Sequence, residues 1–289
     1  MSERLRMQVE GMTWTVRVAG HGRLVLFLHG FTGSSLSWAG IAGLGSHVRA
    51  IVPDLPGHGG TGWEDGREPG AGAGAEGAPP DRRPRASVER TADDLAVIVR
   101  SLGAPQVDVV GYSMGARIAL RLAVAHPESV ARLVLEAPSA GIADPAARAA
   151  RVAADSERAR LVVTEGIEAF AARWEAEPVL AGEAAGPVGA RARQSSIRRS
   201  HEPLGLAASL VYAGQGAMEP LHERLGTIAA PTLVVAGSAD PVRARSEEVA
   251  AAIPGARLAI VPGAGHAPHL ERPDRFHALL FDFLMETAA

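Results

Sequence analysis

Gly111-Tyr112-Ser113-Met114-Gly115 sets one serine between two glycines. A serine hydroxyl is inert near pH 7 until a neighbouring base takes its proton. Val107–Val110, just before, reads as a buried strand, and Ala116–Leu120, just after, opens a helix. A serine on that strand–turn–helix corner is a nucleophile elbow, with its hydroxyl exposed at the carboxyl end of a sheet. The turn strains Ser113, and close packing of strand on helix needs Gly111 and Gly115 without side chains. The competing reading is a serine in an ordinary tight turn, and the flanking strand and helix weigh against it.

The base must come from ten histidines. His266 lies in Gly263-Ala264-Gly265-His266, after the last apolar strand, and it completes the chain order Ser…Asp…His that such an elbow uses. His269 is the alternative base, or a lid-side or packing residue. His126 and His201 lie in helix-end or lid contexts and read as structural. The acid should follow an earlier strand. Asp240 does so in Gly237-Ser238-Ala239-Asp240-Pro241, where it can hold the imidazole tautomer; an Asx turn before Pro241 is the competing reading. An oxyanion site needs two backbone N–H donors. Met114, after the nucleophile, supplies one, and Phe31, in the loop after Leu24–Leu28, is chosen for the other. Asp54-Leu-Pro-Gly-His58-Gly reads as a structural turn.

These residues need a sheet to carry them. Apolar runs at Arg6–Val9, Thr13–Val18, Leu24–Leu28, Val48–Val52, Val107–Gly111, Leu133–Glu136, Thr232–Ala236 and Arg257–Val261 read as strands. The first two alternate and suggest an antiparallel hairpin. The later ones suit a parallel sheet covered on both faces. Helical patterns over Val88–Leu102, Arg117–Ala125 and Arg245–Ala252 lie between them, which argues a doubly wound α/β fold. Two stretches break the alternation. Residues 62–87 are rich in Gly, Ala, Pro and Arg and are expected to be a flexible loop. Residues 140–226 are helical in pattern, starting at Asp144-Pro145 and continuing over Glu165–Ala176, Val188–Arg199 and Leu204–Ala213. They are expected to form a helical lid over a core made of 1–139 and 227–289.

Composition narrows the function. A net charge of −3 gives no reason to expect nucleic acid or an anionic membrane as partner. The absence of cysteine excludes disulfides, thiolate metal sites and a cysteine nucleophile. No stretch approaches the roughly 20 apolar residues of a membrane span, and Met1–Arg6 lacks a signal-peptide core. A cytoplasmic protein without metal or organic cofactor is the expectation. Every one of the 29 basic residues is arginine, which grips carboxylates two bonds at a time; codon bias accounts for most of that excess.

HGFTGS, DLPGHG, GYSMG, GSADP and GAGH span almost the whole chain and resemble the α/β-hydrolase superfamily. The resemblance implies a mostly parallel sheet with helices on both faces and a helical lid insert. GYSMGAR, LEAPSAGIADPAARAARVAAD, FAARWEAEPV and RRSHEPLGLAASL resemble the 2-succinyl-6-hydroxy-2,4-cyclohexadiene-1-carboxylate synthases of menaquinone biosynthesis. That resemblance implies a lyase. It would eliminate pyruvate from 2-succinyl-5-enolpyruvyl-6-hydroxy-3-cyclohexene-1-carboxylate, with Ser113 taking a proton and His266 and Asp240 making it basic. Arg117 is four residues after Ser113, on the same helix face. A cation there is costly unless an anion pairs with it, and the family's substrate carries several carboxylates. The resemblance also assigns substrate contacts to Tyr112, Arg151, Trp174 and Arg198, with Arg193 or Arg199 able to replace Arg198 by a small shift. Solvated helix faces are the plainer reading of the lid arginines. Two other functions stay open: a carboxylic-ester hydrolase working through an acyl-serine, and a non-catalytic binding protein on the same fold. The second usually lacks a triad member, and all three are present here.

Overall fold

The computed structural model describes residues 3–44, 46–63, 84–103 and 106–286. Nine strands among them form one sheet: β1 (Glu3–Val9), β2 (Met12–Gly20), β3 (Arg23–Leu28), β4 (Val48–Pro53), β5 (Gly62–Trp63), β6 (Val107–Tyr112), β7 (Val130–Glu136), β8 (Thr232–Gly237) and β9 (Arg257–Val261). The order is β1-β2-β4-β3-β6-β7-β8-β9, with β5 on β2. β1 pairs β2 antiparallel with Val9 opposite Met12, leaving Glu10 and Gly11 as a two-residue turn. Both turn residues have positive φ, 50° and 81°, as a hairpin of this twist requires. β2 also runs antiparallel to β4. From β4 to β9 all pairs are parallel. β6 and β8 are buried along their whole length, which is why they read as apolar runs without alternation.

All eight expected strands form. β5, only two residues long, left no readable signal. Helices α1 (Val88–Ser101) and α2 (Met114–Ala125) pack against one face of the sheet together with Val249 and Ile253. The Ser35–Leu44 segment and a C-terminal helix, Pro273–Met285, cover the other through Trp38, Phe276, Leu280 and Phe283. α2 begins three residues before the expected Arg117, because the elbow passes directly into the helix.

The stretch expected to be a loop over 62–87 is ordered at both ends. Gly62–Trp63 joins the sheet, and Ser87 caps α1 by accepting the Arg90 N–H at 3.1 Å. The rest of that expectation, 64–83, lies outside the described residues. Between β7 and β8 no strand occurs among the described residues. Instead the chain runs through helix α3 (Pro145–Glu175), a 3-10 segment Pro178–Ala185, α4 (Val188–Arg199) and α5 (Pro203–Tyr212). Asp144 caps α3 by accepting the Ala147 N–H at 2.7 Å, with Pro145 at the first helical position. α3 bends at Gly166, whose φ of 83° leaves the helical region. The bend separates the start at Pro145 from the Glu165–Ala176 helix read in the sequence. Val162, Phe170, Leu206 and Leu210 form a separate small core within this insert. Phe31 of the β3 loop packs on it, which seats the insert at the carboxyl end of the sheet.

Candidate active site

The elbow is a product of close packing. A Cβ on Gly111 would lie 2.5 Å from the Gly115 carbonyl oxygen, and one on Gly115 would collide with the Leu28 carbonyl. Only glycine lets α2 start this near β3 and β6. Ser113 takes φ 51° and ψ −104°, a strained backbone for any L-residue. Its N–H is anchored by the Glu136 carbonyl at 2.8 Å.

Ser113 Oγ lies 3.0 Å from His266 Nε2. His266 Nδ1 lies 2.9 Å from Asp240 Oδ2. The carboxylate therefore fixes the tautomer with the proton on Nδ1, leaving Nε2 free to accept from Ser113. Asp240 Oδ1 also accepts the Val242 N–H at 3.0 Å. The loops bearing Asp240 and His266 are joined, with Ala239 N–H donating to the Ala264 carbonyl at 2.8 Å. A side chain on Gly237 would collide with the Gly265 carbonyl. His269, the alternative base, is elsewhere. Its backbone N–H and Nδ1 lie 2.8 and 3.0 Å from Oε1 of the fully buried Glu136, and its ring packs on Trp38. Phe31 and Met114 both line the cavity in front of Ser113, and among the described residues no protein acceptor takes either N–H.

That cavity has a volume of about 420 Å³ and lies between sheet and insert. Every other residue singled out for substrate contact reaches it: Tyr112, Arg117, Arg151, Trp174 and Arg198. Trp174 meets Phe31 edge-on at 5.1 Å, and the Tyr112 ring lies 5.6 Å from His266. The arginines differ in what balances them. Arg151 pairs with Asp155 at 2.8 Å and donates to Gln215 Oε1 at 2.9 Å. Arg198 Nη2 binds both oxygens of Glu183, at 2.7 and 2.8 Å. Arg193 and Arg199 do not line the cavity, and Arg199 is held by Glu175. Arg117 is buried. It donates to the Ala213 carbonyl at 2.7 Å, and no carboxylate pairs with it among the described residues. Desolvation, with Arg151 nearby, pushes its pKa down to about 10.

Arg158, Arg245 and Gln215 also line the cavity and were not singled out in the sequence. Arg158 is two helical turns past Arg151, a spacing that places both on one face. Arg245 shares the Gln215 oxygen with Arg151, at 3.2 Å. No sequence signal marks Gln215.

A family model described as the alpha/beta hydrolase family matches residues 25–279. The chain belongs to the alpha/beta hydrolase family. A Bacillus subtilis (strain 168) protein provisionally named 2-succinyl-6-hydroxy-2,4-cyclohexadiene-1-carboxylate synthase is 34% identical over 261 residues, covering 90% of this chain and 89% of its own. The Serratia proteamaculans (strain 568) protein of that synthase name is 28% identical, covering 90% and 92%. Among solved structures, MenH from S. aureus superimposes with a TM-score of 0.81 at 27% identity, over 94% of this chain and 97% of that one.

In this alpha/beta hydrolase three buried histidines hold the loop that bears Phe31 and Thr32. His29 Nε2 accepts the Leu55 N–H at 2.9 Å, and His58 Nε2 accepts the Thr32 N–H at 3.2 Å. His201, from the insert, reaches the Thr32 carbonyl at 3.1 Å and the Gly59 N–H at 3.3 Å. Burial lowers all three, His29 to about 4. The folded chain thus prefers them neutral, and the unfolded chain takes up protons first as pH falls below 6.5. Their contribution to stability is complete above that pH and is lost as pH falls through each lowered value, down to about 4 for His29, by at most about 1.4 kcal/mol per pH unit for each group. Asp94 and Asp108, raised to about 6 by burial, act in the opposite sense. A His201→Gln variant isolates the histidine effect, since the amide can make both bonds without titrating. Urea unfolding at pH 7, 6 and 5 should show a smaller acid loss in this variant than in the wild type. Equal losses would remove His201 from the account.

Among the described residues, no group of three or more His, Asp or Glu is placed to hold a metal ion, and no helix is long and apolar enough to cross a membrane.

Proposed function

We propose that this alpha/beta hydrolase eliminates pyruvate from 2-succinyl-5-enolpyruvyl-6-hydroxy-3-cyclohexene-1-carboxylate, forming 2-succinyl-6-hydroxy-2,4-cyclohexadiene-1-carboxylate. That product is the one in the names of its Bacillus and Serratia relatives. The observation that carries the reading is the buried Arg117 guanidinium, which faces the cavity beside Ser113 without a carboxylate of its own. An esterase handling neutral esters gains nothing from that desolvated cation. A substrate with three carboxylates supplies its missing anion.

The chemistry follows from the substrate. The proton on ring carbon 2 is both allylic and α to the succinyl ketone, so its removal leaves a conjugated enolate. His266 takes the Ser113 hydroxyl proton, with Asp240 stabilising the imidazolium, and the serine oxygen takes the carbon-bound proton. The Phe31 and Met114 N–H groups stabilise the developing enolate oxygen. Collapse of the enolate forms a double bond between carbons 2 and 3 and moves the ring alkene to carbons 4 and 5. The bond from carbon 5 to oxygen breaks, and enolpyruvate leaves as an enolate; the proton held on the His266 imidazolium neutralises it, restoring the base, and the enol tautomerises to pyruvate. Arg117, with Arg151, holds substrate carboxylates. Trp174, Tyr112 and Arg198 shape the cavity, and Glu183 already neutralises Arg198.

The test supplies the cyclohexene precursor to the purified protein and follows pyruvate release together with diene absorbance. Equal amounts of both products, formed far above the spontaneous rate, are expected. Hydrolysis of simple esters with an acyl-serine burst, and no diene formation, would replace this reading with that of a serine esterase.

A further inference from the structure

One buried carboxylate near the triad has no part in the chemistry above. Glu271 ends the short helix Pro268–Glu271 and is 2% exposed. Its Oε2 accepts the Gly265 N–H at 2.5 Å, and its Oε1 accepts the Ala267 N–H at 3.0 Å. Those two amides flank His266. No arginine or histidine forms an ion pair with this carboxylate among the described residues, so backbone amides are what solvate its charge. A buried anion is expensive to keep without a cation, and here both its oxygens are spent on one peptide segment. That segment carries the imidazole. Fixing the peptide on both sides of His266 leaves only side-chain torsions to misplace Nε2.

The insert touches the same carboxylate. A Cβ on Gly182 would stand 2.5 Å from Glu271 Oε2, and one on Gly265 would stand 3.1 Å from Gly182 Cα. A side chain at Gly182 would therefore press on the oxygen that holds Gly265. The neighbouring Glu183 grips Arg198 inside the cavity. Lid, clamp and base loop thus meet at one point.

We propose that Glu271 is a positioning residue: it holds His266 in line with Ser113, and the lid bears on that alignment through Gly182. The proposal rests on His266 acting as the base for Ser113, not on the identity of the substrate. Its test therefore uses a reagent that needs no substrate recognition. A small alkyl fluorophosphonate reacts with Ser113 only as fast as His266 can draw off the hydroxyl proton.

Glu271→Gln keeps the size of the side chain but turns one acceptor into a donor facing an N–H. Gly182→Ala adds one methyl in the lid, outside both cavity and triad. Each is expected to slow Ser113 phosphonylation per folded molecule about 10- to 100-fold, the cost typical of sub-ångström to 1 Å misplacement. In the diene assay kcat should fall in parallel, with KM within about twofold. A merely structural clamp would lower the melting temperature and leave the rate per folded molecule unchanged, and that result overturns the proposal. Should Glu271→Gln fail to fold, Gly182→Ala decides alone: a wild-type phosphonylation rate in that folded variant also overturns it. Normal phosphonylation kinetics in the wild type alongside no diene formation would count against the proposed substrate and leave this test intact.

Discussion

Ser113→Ala is expected to lower kcat for diene formation by about 10³- to 10⁴-fold, with KM changed only a few-fold. The size follows from the role. In the proposed reaction Ser113 transfers a proton and forms no bond to carbon, so its removal deletes general-base catalysis only. The donors at Phe31 and Met114 and the arginines of the cavity remain. His266 stays within reach of the cavity as a weaker, badly placed base. A serine acting as a nucleophile is different: its loss removes the covalent route, and drops of about 10⁶ are then usual. The magnitude thus separates proton abstraction from acyl transfer in the same triad. Fold is checked by the melting temperature, which should hold, because Ala keeps the Cβ and the backbone bond of residue 113 to the Glu136 carbonyl. A variant with more than a tenth of wild-type kcat would remove Ser113 from the chemistry altogether.

What could be read in the sequence was whatever depends on local pattern. β6 and β8 are enclosed on both faces, so every position is selected for apolarity and the runs stand out. Ser113 is marked by glycines that no other residue could replace, since a Cβ at 111 or 115 meets backbone. The C-terminal helix carries the same kind of signal: Phe276, Leu280, Phe283 and Leu284 follow helical spacing. The arginines show where pattern stops. Arg117, Arg151 and Arg198 all reach the cavity, but Asp155 balances Arg151 and Glu183 balances Arg198 while Arg117 has neither, and those positions are set by how the insert folds back. Glu271 is invisible for a related reason. Its partners are backbone amides, and amides carry no residue identity. His201 reads as structural from its context, and its partner, the Thr32 carbonyl 169 residues earlier, becomes apparent only in three dimensions.

Arg117→Ala is expected to reduce kcat/KM for diene formation by about 10²- to 10³-fold, equivalent to roughly 3–4 kcal/mol, the usual effect of truncating one partner of a desolvated, hydrogen-bonded charge pair. The same change should leave stability equal or raised. Without substrate the guanidinium is buried, held by one carbonyl, with its pKa pushed down to about 10, mainly by burial. A group whose charge the fold disfavours is a liability to the empty protein, and function is the reason to keep it. Arg117→Lys should recover only part of the loss, because an ammonium cannot form the paired bonds of a guanidinium. A neutral ester offers a control within the same cavity: its slow turnover, if any, should be indifferent to Arg117. Diene formation and melting temperature measured on one preparation give a joint result. Activity falling while stability holds or rises identifies Arg117 as the substrate's counter-ion. Full activity in Arg117→Ala would mean the substrate carboxylates are held elsewhere in the cavity, with Arg151 and Arg245, which converge on Gln215, the next pair to remove.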